Sequence, residues 1–315
     1  MAESEKNVAL VFGASGISGW AVTKNLLSYP FSTTFSRIIA LTHPSVKEQL
    51  QSKVPRLDEV THVHYLAYAN ATAYPENVMD IKDISVGMTS NAVHAVHAVD
   101  QLCKSLKQPP NPLPYGDEIF YYARVDLIKE AAQGKQWRWC EVRPDQIIGH
   151  VPAVTSMTCV KSSALYLALY RYVNGSGAQL SLPGHHRRSE IYLSIAKPEE
   201  ANGEGFNIAD TATPGSWSVK WPILAEYFGL VGTGPAETDA GWGKIDVWWT
   251  AHQDEYRKLC EEYGLKGKTV EETTWVFVKA GLTLLDRTRE MSLDKIRSGN
   301  YLRTSWSRAS GSQRQ

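Results

Sequence analysis

No apolar run in this chain of 315 residues approaches the roughly eighteen residues that a membrane-spanning helix needs. The opening residues, Met1-Ala2-Glu3-Ser4-Glu5-Lys6-Asn7, lack the basic end and apolar stretch of a secretory signal. Cysteine is scarce: Cys103, Cys140, Cys159 and Cys260 lie far apart, which excludes both a disulfide framework and a cysteine metal pair. An excess of either charge is also missing. Lys plus Arg and Asp plus Glu both total 33, so the basic footprint of a nucleic-acid binder is not there. Internal repeats and long low-complexity tracts are absent as well. What remains is 43% hydrophobic and 21% charged, enough to bury a real core. These features lead us to expect a soluble, reduced, cytoplasmic protein. Its expected partner is a small-molecule substrate, with no nucleic acid and no membrane, and a homodimer is left open.

The hydrophobic pattern predicts an α/β protein. Val8-Ala9-Leu10-Val11-Phe12 is a continuous β-prone run, as in a strand buried on both faces. It leads into Gly13-Ala14-Ser15-Gly16-Ile17-Ser18-Gly19, after which Trp20, Ala21, Val22, Leu26 and Leu27 recur at helical spacing up to Pro30. Further strands are expected at 37–41, 60–68 and 137–142, and helices at 45–52, 86–106, 117–132, 160–173, 217–230 and 248–263. The fold class read from this order is a Rossmann-like doubly wound parallel sheet with a smaller, mainly helical C-terminal cap. Residues 1–150 form the dinucleotide-binding part and 151–315 the cap, some of whose segments return to the sheet. The spacing is short for such a sheet. Only 18 residues, 42–59, separate the second strand from the third, against about 30 for a full βα unit. The Pro-rich stretch 109–114 occupies the gap where a further parallel strand belongs. The sheet is therefore expected to lack two strands.

Gly13, Gly16 and Gly19 carry the first chemical signal. Glycines at this spacing, between a strand and a helix, allow a tight turn, close backbone approach to a diphosphate and close packing of the helix. After the second strand stand Thr42 and His43, where NAD binders place a carboxylate on the ribose; its absence leans the reading toward NADP over NAD. Tyr121 and Tyr122 raise the question of a proton donor. The usual lysine four residues later is missing, because Val125 and Asp126 occupy those positions and Lys129 lies two turns away. On spacing alone the pair reads as packing. His62 with His64, His94 with His97, and His185-His186 supply no complete ligand set, so no metal site is expected. The basic run His185-His186-Arg187-Arg188 reads as a solvated loop and Cys140 as core.

Several segments together resemble the progesterone 5β-reductase/iridoid synthase-like group of atypical short-chain dehydrogenases, in its fungal style. They are Phe12 to Trp20, Thr61-His62-Val63-His64-Tyr65, Phe120-Tyr121-Tyr122, Arg143-Pro144-Asp145-Gln146-Ile147-Ile148-Gly149, Gly205-Phe206-Asn207-Ile208, and Trp221-Pro222-Ile223-Leu224. The resemblance covers most of the chain. It implies NADPH-dependent reduction of a carbon–carbon double bond conjugated to a carbonyl, in small-molecule metabolism. It assigns to Tyr122 the stabilisation of the enolate oxygen, overriding the packing interpretation, and cofactor contacts to Ser15, Gly16, Ile17, Ala67, Tyr68 and Ile147. The chain departs from the family at the Thr-Gly-x-Lys strand, at the Asp-bearing strand region before it, at the Arg after the second strand, and around 185–190. Without the family lysine, turnover is expected to be weak unless Arg143 or Lys129 supplies a cation. The alternatives are a non-redox dinucleotide-binding sensor or scaffold, a degenerate member of the group, and a non-redox isomerase or cyclase that kept the pocket.

Overall fold

The computed structural model describes residues 7–28, 34–42, 54–67, 78–96, 120–144, 147, 149, 151, 159–182, 201–208, 216–234, 242–265 and 292–298. Its first strand, β1 (Asn7–Phe12), is the apolar run expected at the start of the chain, and Ala9, Leu10 and Val11 have no exposed surface. Helix α1 (Ile17–Leu26) follows the glycine turn. Strand β2 (Phe35–Leu41) pairs parallel to one side of β1, and β3 (His62–Tyr65) pairs parallel to the other. The order β2-β1-β3 makes β1 the strand at which the connection reverses direction. In an open α/β sheet that reversal opens a crevice beyond the carboxyl ends of the strands. The register sets what meets there: Phe12 lies beside both Leu41 and Tyr65. The residues that follow each of those three therefore emerge together.

Alternation along β1 sends Val8, Leu10 and Phe12 to one face, where they pack with Val63 on β3. Helices α2 (Val78–Val96) and α3 (Phe120–Ala132) cover this face through Ala92, Val93, Val125 and Ile128. Trp137 and Trp139 join the same core just before strand β4 (Cys140–Pro144). The strand expected at 137–142 is thus displaced toward the C-terminus. The tryptophans lead into the ladder, which starts where Cys140 meets Glu204.

Helix α4 (Cys159–Asn174) and strand β5 (Gln179–Ser181) come next, followed by β6 (Glu204–Ile208). Strand β6, beyond residue 150, pairs parallel with β4 in a two-stranded ladder of its own among the described residues. Helix α5 (Trp217–Tyr227) leads to β7 (Val231–Thr233), which pairs parallel with β5. Where one helix was expected over 248–263 there are two, α6 (Trp242–Ala251) and α7 (Gln253–Tyr263), divided at His252. A short α8 (Asp294–Ser298) packs Ile296 against Phe206 and Ile208 of β6. A second core, in the C-terminal half of the chain, is aromatic, with Trp217, Trp221, Trp249, Tyr166 and Tyr256 buried around Leu167 and Leu169.

Among the described residues no ladder joins β3 to β4. The Pro-rich stretch 109–114, the helix expected at 45–52 and the tail from 305 lie outside the described residues. Within them, no helix is long and apolar enough to cross a membrane.

Candidate active site

The glycine turn is built by backbone contacts that leave no room for side chains. Gly13 sits at φ +78°, where a side chain would be strained. The amides of Gly13 and Ala14 both donate to the Leu41 carbonyl, at 3.0 and 2.9 Å, pinning the turn over the end of β2. The Gly16 amide donates to the Gly13 carbonyl at 3.0 Å. A Cβ on Gly13 would lie 2.8 Å from the Ala67 nitrogen, and one on Gly19 only 2.0 Å from the Gly13 oxygen. Both positions therefore demand glycine, which seats the turn against the end of β3 and α1 against the turn. No side chain caps α1 at Gly16. The first-turn amides of Ile17, Ser18 and Gly19 have no partner within the helix, and the helix dipole makes that end favourable to an anion. A cradle that any Cβ would fill, at an uncapped helix N-terminus, fits a diphosphate. The candidates Gly13, Ser15, Gly16, Ile17 and Gly19 all belong to it.

The other candidates gather around this turn. Thr42 is exposed at the end of β2, immediately after the carbonyl that holds the turn. Ala67 follows β3 and touches Gly13. Ile147 is half-buried, and two residues on, a Cβ at Gly149 would meet the Ile17 side chain at 3.5 Å. The chain after β4 thus returns to the start of α1. His43 and Tyr68 lie outside the described residues.

Beside Ala67 lies a charged cluster that the sequence did not single out. On α3, Tyr121 and Arg124 are three residues apart and share a face, whereas Tyr122 and Arg124 are two apart and do not. The Arg124 guanidinium donates from Nη2 to the Ala67 carbonyl at 3.1 Å. It lies 4.9 Å from the centroid of the Tyr65 ring and 5.6 Å from that of Phe120. Strand β4 supplies the facing groups by alternation. Cys140 and Val142 pack toward α8 and β6, so Glu141 and Arg143 point the other way. These two form an ion pair, with side chains only 22% and 16% exposed.

Burial pushes the Glu141 carboxyl above its ordinary value, and Arg143 and Arg124 oppose that shift. Burial lowers the Arg124 value, while Tyr65, Tyr121 and Glu141 act to raise it. Loss of solvation raises the Tyr121 phenol; Arg124 counteracts this and Glu141 reinforces it. Tyr121 keeps 50% of its surface exposed.

Tyr122 is half-buried on the same helix turn. Both cations considered from the sequence as substitutes for the family lysine are paired with carboxylates. Lys129 is paired with Asp126 at 2.6 Å on an exposed face, and Arg143 is paired with Glu141. Arg124 lies on the same helix and faces Tyr121. A signal for it existed. Tyr121, Arg124, Val125 and Ile128 form one helical stripe, in which an arginine interrupts otherwise apolar and aromatic residues.

Among the described histidines, His62 and His94 make local contacts. His62 packs edge-on against Phe35, with ring centroids 5.1 Å apart, and its Nδ1 lies 2.9 Å from the Thr61 hydroxyl. His94 meets the Ser90 carbonyl at 2.7 Å, one turn back on α2. His97 and 185–188 lie outside the described residues. Among the described residues no cluster could hold a metal ion. Cys140 is partly buried against the Phe206 core, as a packing residue.

Burial lowers the pKa of His62 from 6.5, which has a consequence for stability. Below about pH 6.5 the unfolded chain takes up this proton before the folded one does, so stability is complete above that value and falls as the pH drops through it. A melting-temperature profile should show this acid limb, and His62→Gln should flatten it; an unchanged profile would free His62 of the role.

The family model described as a PRISE-like Rossmann-fold domain matches residues 106–299. The short chain dehydrogenase ausT of Aspergillus calidoustus is 42% identical, aligned over 94% of this chain and 89% of its own. The short chain dehydrogenase sirQ of Leptosphaeria maculans is 29% identical over 90% of each. The 3-oxo-Delta(4,5)-steroid 5-beta-reductase of Arabidopsis thaliana is 23% identical over 96% of this chain and 92% of its own. The alignments with the first and third of these span 372 and 375 positions, more than the 315 residues available here. The chain therefore lacks internal segments that these relatives possess, in line with the short spacing between its strands. With its family match and its strong similarity along nearly the whole length to a short chain dehydrogenase, the protein belongs to the PRISE-like Rossmann-fold family and is an oxidoreductase of the short-chain dehydrogenase/reductase type.

Proposed function

We propose that this protein is an NADPH-dependent reductase that saturates a carbon–carbon double bond conjugated to a carbonyl, in small-molecule metabolism. One observation carries the reading: the glycine turn, Thr42, Ala67 and the return of the β4 segment to Ile17 meet at one end of the strands, with the α3 tyrosines beside them. The similarity to a steroid 5-beta-reductase supports the choice of bond. The amides at the start of α1 would hold the diphosphate of the nucleotide. Thr42, with no carboxylate at the end of β2 among the described residues, leaves room for a 2′-phosphate. When bound, the dinucleotide supplies a hydride. The substrate accepts it at the β-carbon, its π electrons shift to the carbonyl oxygen, and Tyr122 stabilises that oxygen by donating a hydrogen bond. A proton from solvent, taken up at the α-carbon, would then restore the carbonyl.

The test is NADPH oxidation with a panel of enones. Tyr122→Phe should lower kcat about a hundredfold or more, the scale of one lost oxyanion donor. Tyr121→Phe is the informative companion, because Arg124 faces Tyr121. Equal rates for wild type and Tyr122→Phe would remove Tyr122 from the mechanism. A large loss confined to Tyr121→Phe would transfer its role to the neighbouring phenol.

A second reading, binding of the dinucleotide without turnover, draws on the cations. Lys129 and Arg143 are each held by a carboxylate. NADPH binding with no product from any enone would favour it.

A further inference from the structure

We propose that Arg124 is a positioning residue for nucleotide binding, its guanidinium clamping the end of β3 against the glycine turn. The inference rests on the reading that a dinucleotide occupies that turn. The geometry runs through three contacts. Arg124 donates to the Ala67 carbonyl at 3.1 Å. The Ala67 nitrogen lies where a Cβ on Gly13 would come within 2.8 Å, so Ala67 forms the wall against which the turn closes. The turn in turn presents the first amides of α1. Ala67 itself lies beyond the β1–β3 ladder: the last backbone bond on that side is from Leu66 to Phe12, at 3.0 Å.

Strand β3 also has a partner on its β1 side alone among the described residues. The Ala67 carbonyl lies past the β1–β3 ladder, and Arg124 supplies a donor for it. The side chain is fixed in direction as well as in charge. Its guanidinium carbon lies 4.9 Å from the Tyr65 centroid and 5.6 Å from the Phe120 centroid. A planar guanidinium can lie against two rings and still donate in its own plane; an ammonium cannot. Glu141, bonded to Arg143, adds an electrostatic attraction, while the hydrogen bond to the Ala67 carbonyl and the two rings set the direction of the Arg124 guanidinium.

The test compares Arg124→Met and Arg124→Lys with Ile128→Val, a change in the buried stripe of the same helix that leaves the Ala67 contact in place. In nucleotide-free protein, hydrogen exchange at 13–19 and 65–67 should speed up in both Arg124 variants and stay unchanged in Ile128→Val. In titrations, the NADPH Kd should rise about tenfold in Arg124→Met, the scale of one hydrogen bond to a charged group. KM for NADPH should rise more than kcat falls, a split that general loss of stability would not produce. Unchanged exchange and Kd in Arg124→Met would overturn the proposal, as would full recovery in Arg124→Lys. If the wild type binds no NADPH, the proposed function fails, and the exchange comparison alone still decides whether Arg124 holds the turn.

Discussion

Replacing Gly19 with alanine is expected to abolish NADPH binding and to lower the melting temperature by several degrees. The added Cβ would sit 2.0 Å from the Gly13 oxygen and 2.6 Å from its carbon, both backbone atoms of the turn itself. No rotamer change can relieve that overlap. Helix α1 must move away from the turn, and the amides that would hold a diphosphate move with it. Overpacking of this kind costs about 1–3 kcal/mol or more in stability, whereas the loss of binding follows from displacing the amides themselves. Gly87 provides the control. It is exposed on α2, and an added methyl there would meet nothing within 4 Å, so Gly87→Ala should leave binding intact and add about 0.5–1 kcal/mol of helix stability. Binding retained in Gly19→Ala would place the nucleotide elsewhere.

The second large effect lies in the aromatic core of the C-terminal half. Trp221 is 1% exposed at the centre of the aromatic core, and its indole N–H donates to the Leu180 carbonyl at 3.0 Å. Trp221→Ala removes the largest fully buried side chain among the described residues, together with that hydrogen bond. The cavity alone costs about 3–5 kcal/mol, a large part of the ~5–15 kcal/mol that holds a folded protein together. Melting should fall by about 10 °C, or the protein should fail to accumulate in soluble form. Trp221→Phe keeps much of the volume and loses the hydrogen bond, so it should cost clearly less. Equal melting of Trp221→Ala and wild type would show that the α4, α5 and α7 core does not govern stability.

The first βα unit was legible in the sequence because every local cue agreed there. An unbroken apolar run, a glycine turn and helical spacing all pointed to the same element, and β1 and α1 follow them closely. Elsewhere tertiary contacts decided. The break at His252 was hidden because Trp248, Trp249, Tyr256 and Leu259 keep helical spacing across it. The break itself is made by backbone at φ −113° and by the His252 ring, which stacks on Trp248 and bonds its carbonyl. The beginning of α2 was missed because its first turns are mixed in polarity, and the buried faces that identify it, around Ser85 and Thr89, are polar. Trp137 and Trp139 looked like strand residues because they alternate, yet they bury ahead of the ladder.

The candidate site was legible in the same uneven way. Its glycines are written in the local sequence. The cluster of Tyr65, Tyr121, Arg124, Glu141 and Arg143 depends on three elements meeting, and no single window contains it. The shortening of the chain was visible as missing spacing, whereas the manner in which Arg124 meets the end of β3 needed the fold.

Titration of the purified protein with NADPH, and with NADH for comparison, tests the central claim most directly. The account predicts saturable binding of one NADPH per chain, tighter than NADH, which raises the melting temperature with concentration and disappears in Gly19→Ala. A cooperatively melting protein with no affinity for either dinucleotide would contradict it.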